Sequence, residues 1–342
     1  LLYMYLNFYR LFLSGCDSGN VLKEAGKNLN TYTITAQYND YNKTLDVSEE
    51  IAYTNTSDAI LEFICLHIYP AAFSEGAVNK PVSILHTKDA YPNGVSYGEV
   101  TIKSVTINKA TAEFSLQGED KNILKINLGK KLNPYAKLTI GVELTLKLPN
   151  INHRYGYGNN AINIANFYPI LAVYEKGSGF VLDPYNYNGD PFYSEASNYN
   201  VTILADTKYK IAHTGNLTKT AIDGNFTKYT INAIAVRDFT FVLSDKFTVV
   251  SDKYKDTTIN YFYYKDDNPA SSLKAAVDSI ATFSKLFGEY VYATYNVVQT
   301  NFLHGGMEFP NLVYVSDTLD SRSDYTNVIV HETAHQWWYQ MV

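Results

Sequence analysis

Apolar and polar residues alternate along much of the first two thirds of the chain. Residues 31–38, 43–47, 99–105 and 138–146 carry Ile, Val, Leu or Tyr at about every second position, the period of a strand with one buried face. Residues 61–68 are more continuously apolar and also read as a strand. Asn-Asp, Pro-Asn-Gly and Asn-Pro steps separate many of these runs, as turn chemistry requires. No convincing helical period occurs between about residues 31 and 247. This part is expected to be an antiparallel β domain, a saddle or sandwich.

The period changes near residue 247. Two more strands, 247–250 and 257–264, lead to Asn268 and Pro269, a cap residue followed by the residue best suited to the first helical position. Leu273, Val277, Ile280, Phe283 and Phe287 then recur at three- and four-residue spacing until Gly288, predicting a helix with one apolar face. A strand over 295–300 follows. The fold class is therefore α+β, with a β domain over 31–247 and a mixed unit over 248–342. Val328, Ile329, Val330, Trp337 and Trp338 make the end of the second unit apolar nearly all round, so a buried helix is expected there, with Asp324 capping its start.

Two other stretches change the picture less. The aromatic and Pro-containing residues 166–174 and 189–195 read as sheet packing and turns before they read as a cleft lining. Arg237 and Asp238, adjacent on an extended segment, should point to opposite faces and need not pair.

At the N-terminus, residues 1–16 form an aliphatic and aromatic run that ends in Leu13-Ser14-Gly15-Cys16. This resembles a bacterial lipoprotein signal peptide, whose cleavage leaves Cys16 as the lipid-bearing terminus. Sixteen residues are too few to span a bilayer as a helix. The resemblance implies an extracytoplasmic, membrane-anchored bacterial lipoprotein, with the polar residues 17–30 as its linker. The other cysteine, Cys65, lies inside an apolar strand and is expected to be a small buried residue.

Composition mostly excludes. A net charge of −6 leaves no basic footprint, so nucleic acid is not an expected partner. The 31 tyrosines favour strands and name no chemistry.

Chemistry concentrates near the end. His331-Glu332-Thr333-Ala334-His335 places two imidazoles four residues apart, on one face of a helix, where both can bind one ion. Zinc is the expected ion, with Glu332 bearing on the zinc-activated water as general base. Upstream, Gly305-Gly306-Met307-Glu308 joins two residues that permit close backbone approach to a carboxylate. On an edge strand such a segment can pair with an extended peptide, and Glu308 can hold the peptide's α-ammonium group.

These two motifs together resemble the gluzincin zinc aminopeptidases of the membrane alanyl aminopeptidase family. Residues 166–195, Arg237-Asp238-Phe239 and residues 283–290 also resemble bacterial members. The resemblance implies a saddle-like β domain followed by the first part of a thermolysin-like metallopeptidase domain. It makes His331 and His335 ligands of one Zn2+ ion, Glu332 the general base, and Glu308 the anchor of the free amine of a peptide substrate. Gly305, Gly306 and Met307 would hold the peptide backbone. The family's third ligand, a glutamate, and its oxyanion tyrosine fall beyond Val342, so the chain as printed is expected to be a fragment inactive by itself. Phe309 stands where the family often has Asn. Two alternatives stay open: an epoxide hydrolase on the same scaffold, and a non-catalytic relative that uses the β domain for binding.

Overall fold

The computed structural model describes residues 18–189 and 191–340. Cys16, the expected lipid site, and the rest of the segment 1–16 lie outside the described residues. None of the described helices is long and apolar enough to cross a membrane.

An eight-stranded sheet dominates the first part. Its order is Asn216–Asp223, Phe226–Val236, Ser197–Asp206, Thr31–Asn39, Thr44–Thr54, Lys137–Lys147, Glu99–Ile107 and Ala110–Thr111. The alternation becomes two faces: Tyr32, Ile34, Ala36 and Tyr38 are buried while the residues between them are exposed or half-buried. One expectation fails. Thr31–Asn39 pairs in parallel with Ser197–Asp206 in an otherwise antiparallel sheet. Alternation specifies a strand and its inner face but not its partner, and these strands lie far apart in sequence.

Two four-stranded sheets and a two-stranded ribbon, Tyr174–Glu175 with Gly179–Phe180, complete this part among the described residues. One runs Ile170–Leu171, Leu61–His67, Ile123–Leu132 and Phe114–Gln117; the other runs Lys210–His213, Phe241–Ser244, Ile162–Ile164 and Tyr155–Tyr157. Cys65 is buried and unbridged. Only short helical turns interrupt the β structure, at Tyr69–Phe73, Ile84–His86 and Thr87–Ala90. The expected linker is not a free tether: Ser18–Ala25 forms a helix whose Val21 and Leu22 join the core. Asn198 Nδ2 donates to the Gly26 carbonyl at 2.9 Å, fastening the end of that helix to the large sheet.

The second part is a five-stranded sheet in the order Thr248–Tyr254, Thr257–Tyr263, Thr294–Thr300, Leu312–Ser316 and Gly306–Phe309. Its three inner strands are parallel, and both outer pairs are antiparallel. The helix Pro269–Phe287 starts where expected: Asn268 caps it by accepting from the Ser271 amide, and Gly288, at φ 111°, ends it. Ala276 and Ile280 pack with Ile259, Val297, Val313 and Ile329 in one core.

The motif helix is Arg322–Ala334. Ser321, not Asp324, caps it: Ser321 Oγ accepts from the Asp324 amide at 3.1 Å and donates to the Asp324 carboxylate at 2.7 Å. The helix is not buried all round either. Tyr325, Ile329, Glu332 and Thr333 face inward, whereas Val330 and His331 are exposed. Trp337 is buried and Trp338 is exposed. An apolar flank in sequence thus splits into a packed side and an open side.

Candidate metal and peptide site

Both ends of the motif helix are tied to the neighbouring helix Pro269–Phe287 and the segments that flank it. At its start, Arg322 bonds the Asp266 carboxylate, Asp267 at 2.6 Å and Ser272 Oγ at 2.8 Å. Burial would raise the Asp266 pKa, but the hydrogen bonds from Arg322, Ser272, the Asn268 amide and Tyr261 outweigh it and hold the carboxyl at about 2. In its last turn, Thr333 Oγ1 lies 2.7 Å from Tyr295 OH, on the central strand. Past its end, Trp337 Nε1 donates to the Gly288 carbonyl at 2.8 Å.

Gln336 makes the decisive link to the peptide-motif strand. It is fully buried. Its Nε2 donates to the Phe309 carbonyl at 3.0 Å, and its Oε1 accepts from the Asn311 amide at 2.9 Å. The turn at residues 309–311 is thereby held against the residue that follows His335, and Glu308 is set opposite the motif.

The strand Gly306–Phe309 forms the outer edge of its sheet. Met307 and Phe309 are buried, in a cluster with Phe302, Leu312 and Tyr314, while Gly306 and Glu308 are half-buried on the alternate face. A donor atom of Glu308, one of Glu332 and one of His335 all lie within 4.8 Å of one another. Glu332 is only 5 % exposed. A Cβ built on Gly306 would fall 2.6 Å from Glu332 Cγ and still closer to the carboxylate, whereas one on Gly305 would meet Val328 at 3.4 Å. Gly306 is therefore glycine because Glu332 occupies the space a side chain would need.

His331 Nε2 and His335 Nε2 are 3.3 Å apart, with the rings at 79°. Two nitrogens on one tetrahedral zinc, each about 2.05 Å from it, are separated by about 3.4 Å. The pair therefore fits one zinc ion. His335 Nδ1 lies 3.1 Å from the Trp338 carbonyl; an N–H there fixes the tautomer and turns the Nε2 lone pair to the ion.

The expected residues are thus largely brought together: His331, His335, Glu332, Glu308 and Gly306 converge. Met307 lies on the same strand, with its side chain buried in the core and its main chain paired with Tyr314 of the neighbouring strand. Gln336, Asn311 and the Trp338 carbonyl were missed. Their roles come from tertiary contacts, and the only sequence signal was a polar residue inside an apolar flank.

The fold is that of the M1 zinc metallopeptidases. Two crystal structures of the M1 zinc metallopeptidase from Deinococcus radiodurans, one of them a point mutant, match with TM-scores of 0.60 and 0.58 at 11 % and 12 % identity. The match covers 92 % of this chain and 66 % of each of those chains. Identity this low establishes the shared fold alone. No protein-family profile and no curated protein matches the chain.

Proposed function

We propose that this chain carries part of the active site of a zinc-dependent aminopeptidase. The carrying observation is the 3.3 Å separation of the two Nε2 atoms, with an oxygen of Glu308 and one of Glu332 lying within 4.8 Å of a His335 nitrogen. His331 and His335 would hold the ion, as two of the three protein ligands a catalytic zinc keeps. Zinc bound there would polarise the scissile carbonyl and lower the pKa of the attacking water.

The protein's own groups do the rest. Gly306 and Glu308 present an edge strand to which an extended peptide can add. The Glu308 carboxylate would pair with the peptide's free ammonium, which selects the first peptide bond. Glu332, pressed against that strand, would take a proton from the attacking water and return it to the leaving nitrogen.

The test uses the full-length protein. It should contain zinc and hydrolyse aminoacyl reporters. Glu332→Gln should lower turnover by about 10²–10⁴-fold, the usual worth of a positioned base, and leave the zinc content unchanged. Full activity in that variant, or a zinc-free active protein, overturns the reading.

A further inference from the structure

The edge strand has one closed end and one open end. Phe309, Pro310 and Asn311 are buried and held by Gln336, while His304 and Gly305 at the other end are exposed. A peptide paired to this strand with its amine at Glu308 must therefore leave past His304.

What lies there mixes exposed aliphatic and aromatic side chains with polar ones. The His304 ring faces His86, with centroids 6.2 Å apart at 78°. His86 ends the turn Ile84–His86, in which Ile84 is 90 % exposed and Leu85 84 %. Two adjacent aliphatic side chains left in water on an ordered turn call for a partner. Ile84 also lines a cleft of about 750 Å³ between residues 78–84 on one side and residues 183–189, 191 and 193 on the other, with Tyr185, Tyr187 and Tyr193 opposite it and Lys80 and Asp183 among the polar lining. Beneath the surface, a row of rings, buried as far as His153, fixes the cleft wall relative to the strand end: Tyr185 on Phe73, Phe73 on His153, and His153 on His304. Tyr69 OH donates to the Pro191 carbonyl at 3.3 Å and steadies the far wall.

We infer that this cleft binds the downstream part of the same peptide, taking apolar or aromatic side chains some residues beyond the cleaved bond. The inference rests on the aminopeptidase reading. Glu308 to His304 spans four steps of the chain, at about 3.3 Å for each residue of an extended peptide. A tripeptide therefore ends before the cleft, whereas a peptide of about eight residues enters it. The substrate class is an oligopeptide with an apolar downstream half.

The experiment measures binding by the zinc-loaded intact protein carrying Glu332→Gln, so that peptides persist. Three fluorescent probes are compared: a tripeptide, an octapeptide whose last four residues are Leu and Phe, and one whose last four are Ser and Gly. The apolar octapeptide should bind at least tenfold more tightly than the other two. The double variant Ile84→Asn, Leu85→Asn should lose that gain while keeping tripeptide affinity and zinc content, which also report that it is folded. Equal affinity for the two octapeptides, or a preference that survives the double variant, overturns the inference. So does sedimentation showing that the double variant dissolves a dimer, because the patch would then cover a second copy. Reporter hydrolysis by the protein without Glu332→Gln separates the two levels: hydrolysis without the preference sinks only the cleft, and no hydrolysis with no peptide bound sinks both.

Discussion

Gly306 shows how tightly the candidate site is specified at the level of single atoms. Its neighbour Gly305 faces only Val328, at a distance of ordinary van der Waals contact, but a Cβ on Gly306 would meet the Glu332 side chain at 2.6 Å and less. Glu332 lies on a helix held at both ends, so the carboxylate must rotate away or the strand must retreat. A displacement of about 1 Å at a reacting group costs on the order of 10²-fold in rate. Gly306→Ala in the full-length protein should therefore lower kcat by about that factor with little change in melting temperature, as aminoacyl-reporter kinetics and thermal unfolding would show. Full kcat in Gly306→Ala would mean that Glu332 is not poised where the proton transfer occurs.

At the scale of elements, the motif helix depends on what pins its ends. Arg322, its first residue, is anchored to Asp266, whose carboxyl side chain is wholly buried. Because the folded pKa of Asp266, about 2, lies below its ordinary 3.8, the contact stabilises the fold above about pH 4 and is lost as pH falls towards 2. Its contribution is on the order of 1–2 kcal/mol, discounted because Arg322 is partly solvated. Both tryptophans of the chain, Trp337 and Trp338, directly follow this helix, so their fluorescence reports on its docking. Acid titration should show a transition between pH 4 and 2 that Asp266→Asn removes; an unchanged transition would assign the loss to another group. The sequence disclosed this element unevenly. Two histidines four apart needed only the helical period to be brought together, and Asn268-Pro269 marked the neighbouring helix start. Ser321 was hidden as the cap because Asp324 is an equally good cap residue in isolation, and only the observed turn decides between them. Gln336 was illegible for a different reason: its value lies in two main-chain groups 25 and 27 residues away. The parallel pairing of Thr31–Asn39 was hidden in the same way, since a local pattern carries no partner.

For the whole molecule, the question is whether the β body and the five-stranded sheet are separable. The seam between them is polar and buried. Asn301 Oδ1 accepts from the Ala161 amide at 2.9 Å, and Asn163 Nδ2 donates to the carbonyls of His153 at 2.8 Å and Asn301 at 3.2 Å. Thr300 Oγ1 donates to Asn163 Oδ1 at 2.5 Å, and Asn296 Nδ2 donates to the His213 carbonyl at 2.7 Å. Gly158 leaves room for the Asn301 amide, which a Cβ would strike. Each part therefore satisfies main-chain groups that the other has buried, and separation would leave them without partners in an apolar surface. One hydrophobic cluster also runs through both parts, from Ile34 and Tyr199 to Ile259 and Ile329. Cooperative unfolding follows: far-ultraviolet circular dichroism, dominated by the β body, and tryptophan fluorescence, confined to the end of the motif helix, should give one urea midpoint. Asn163→Leu would strand two carbonyls and a hydroxyl, at a cost of about 3 kcal/mol, and should lower both midpoints together. Were fluorescence to shift alone, the edge strand Gly306–Phe309 would ride on a separately folding unit. The cleft at Ile84 and the open end of that strand would then have no fixed relation, because the seam that Asn163 closes is what holds His304 beside His153 and His86.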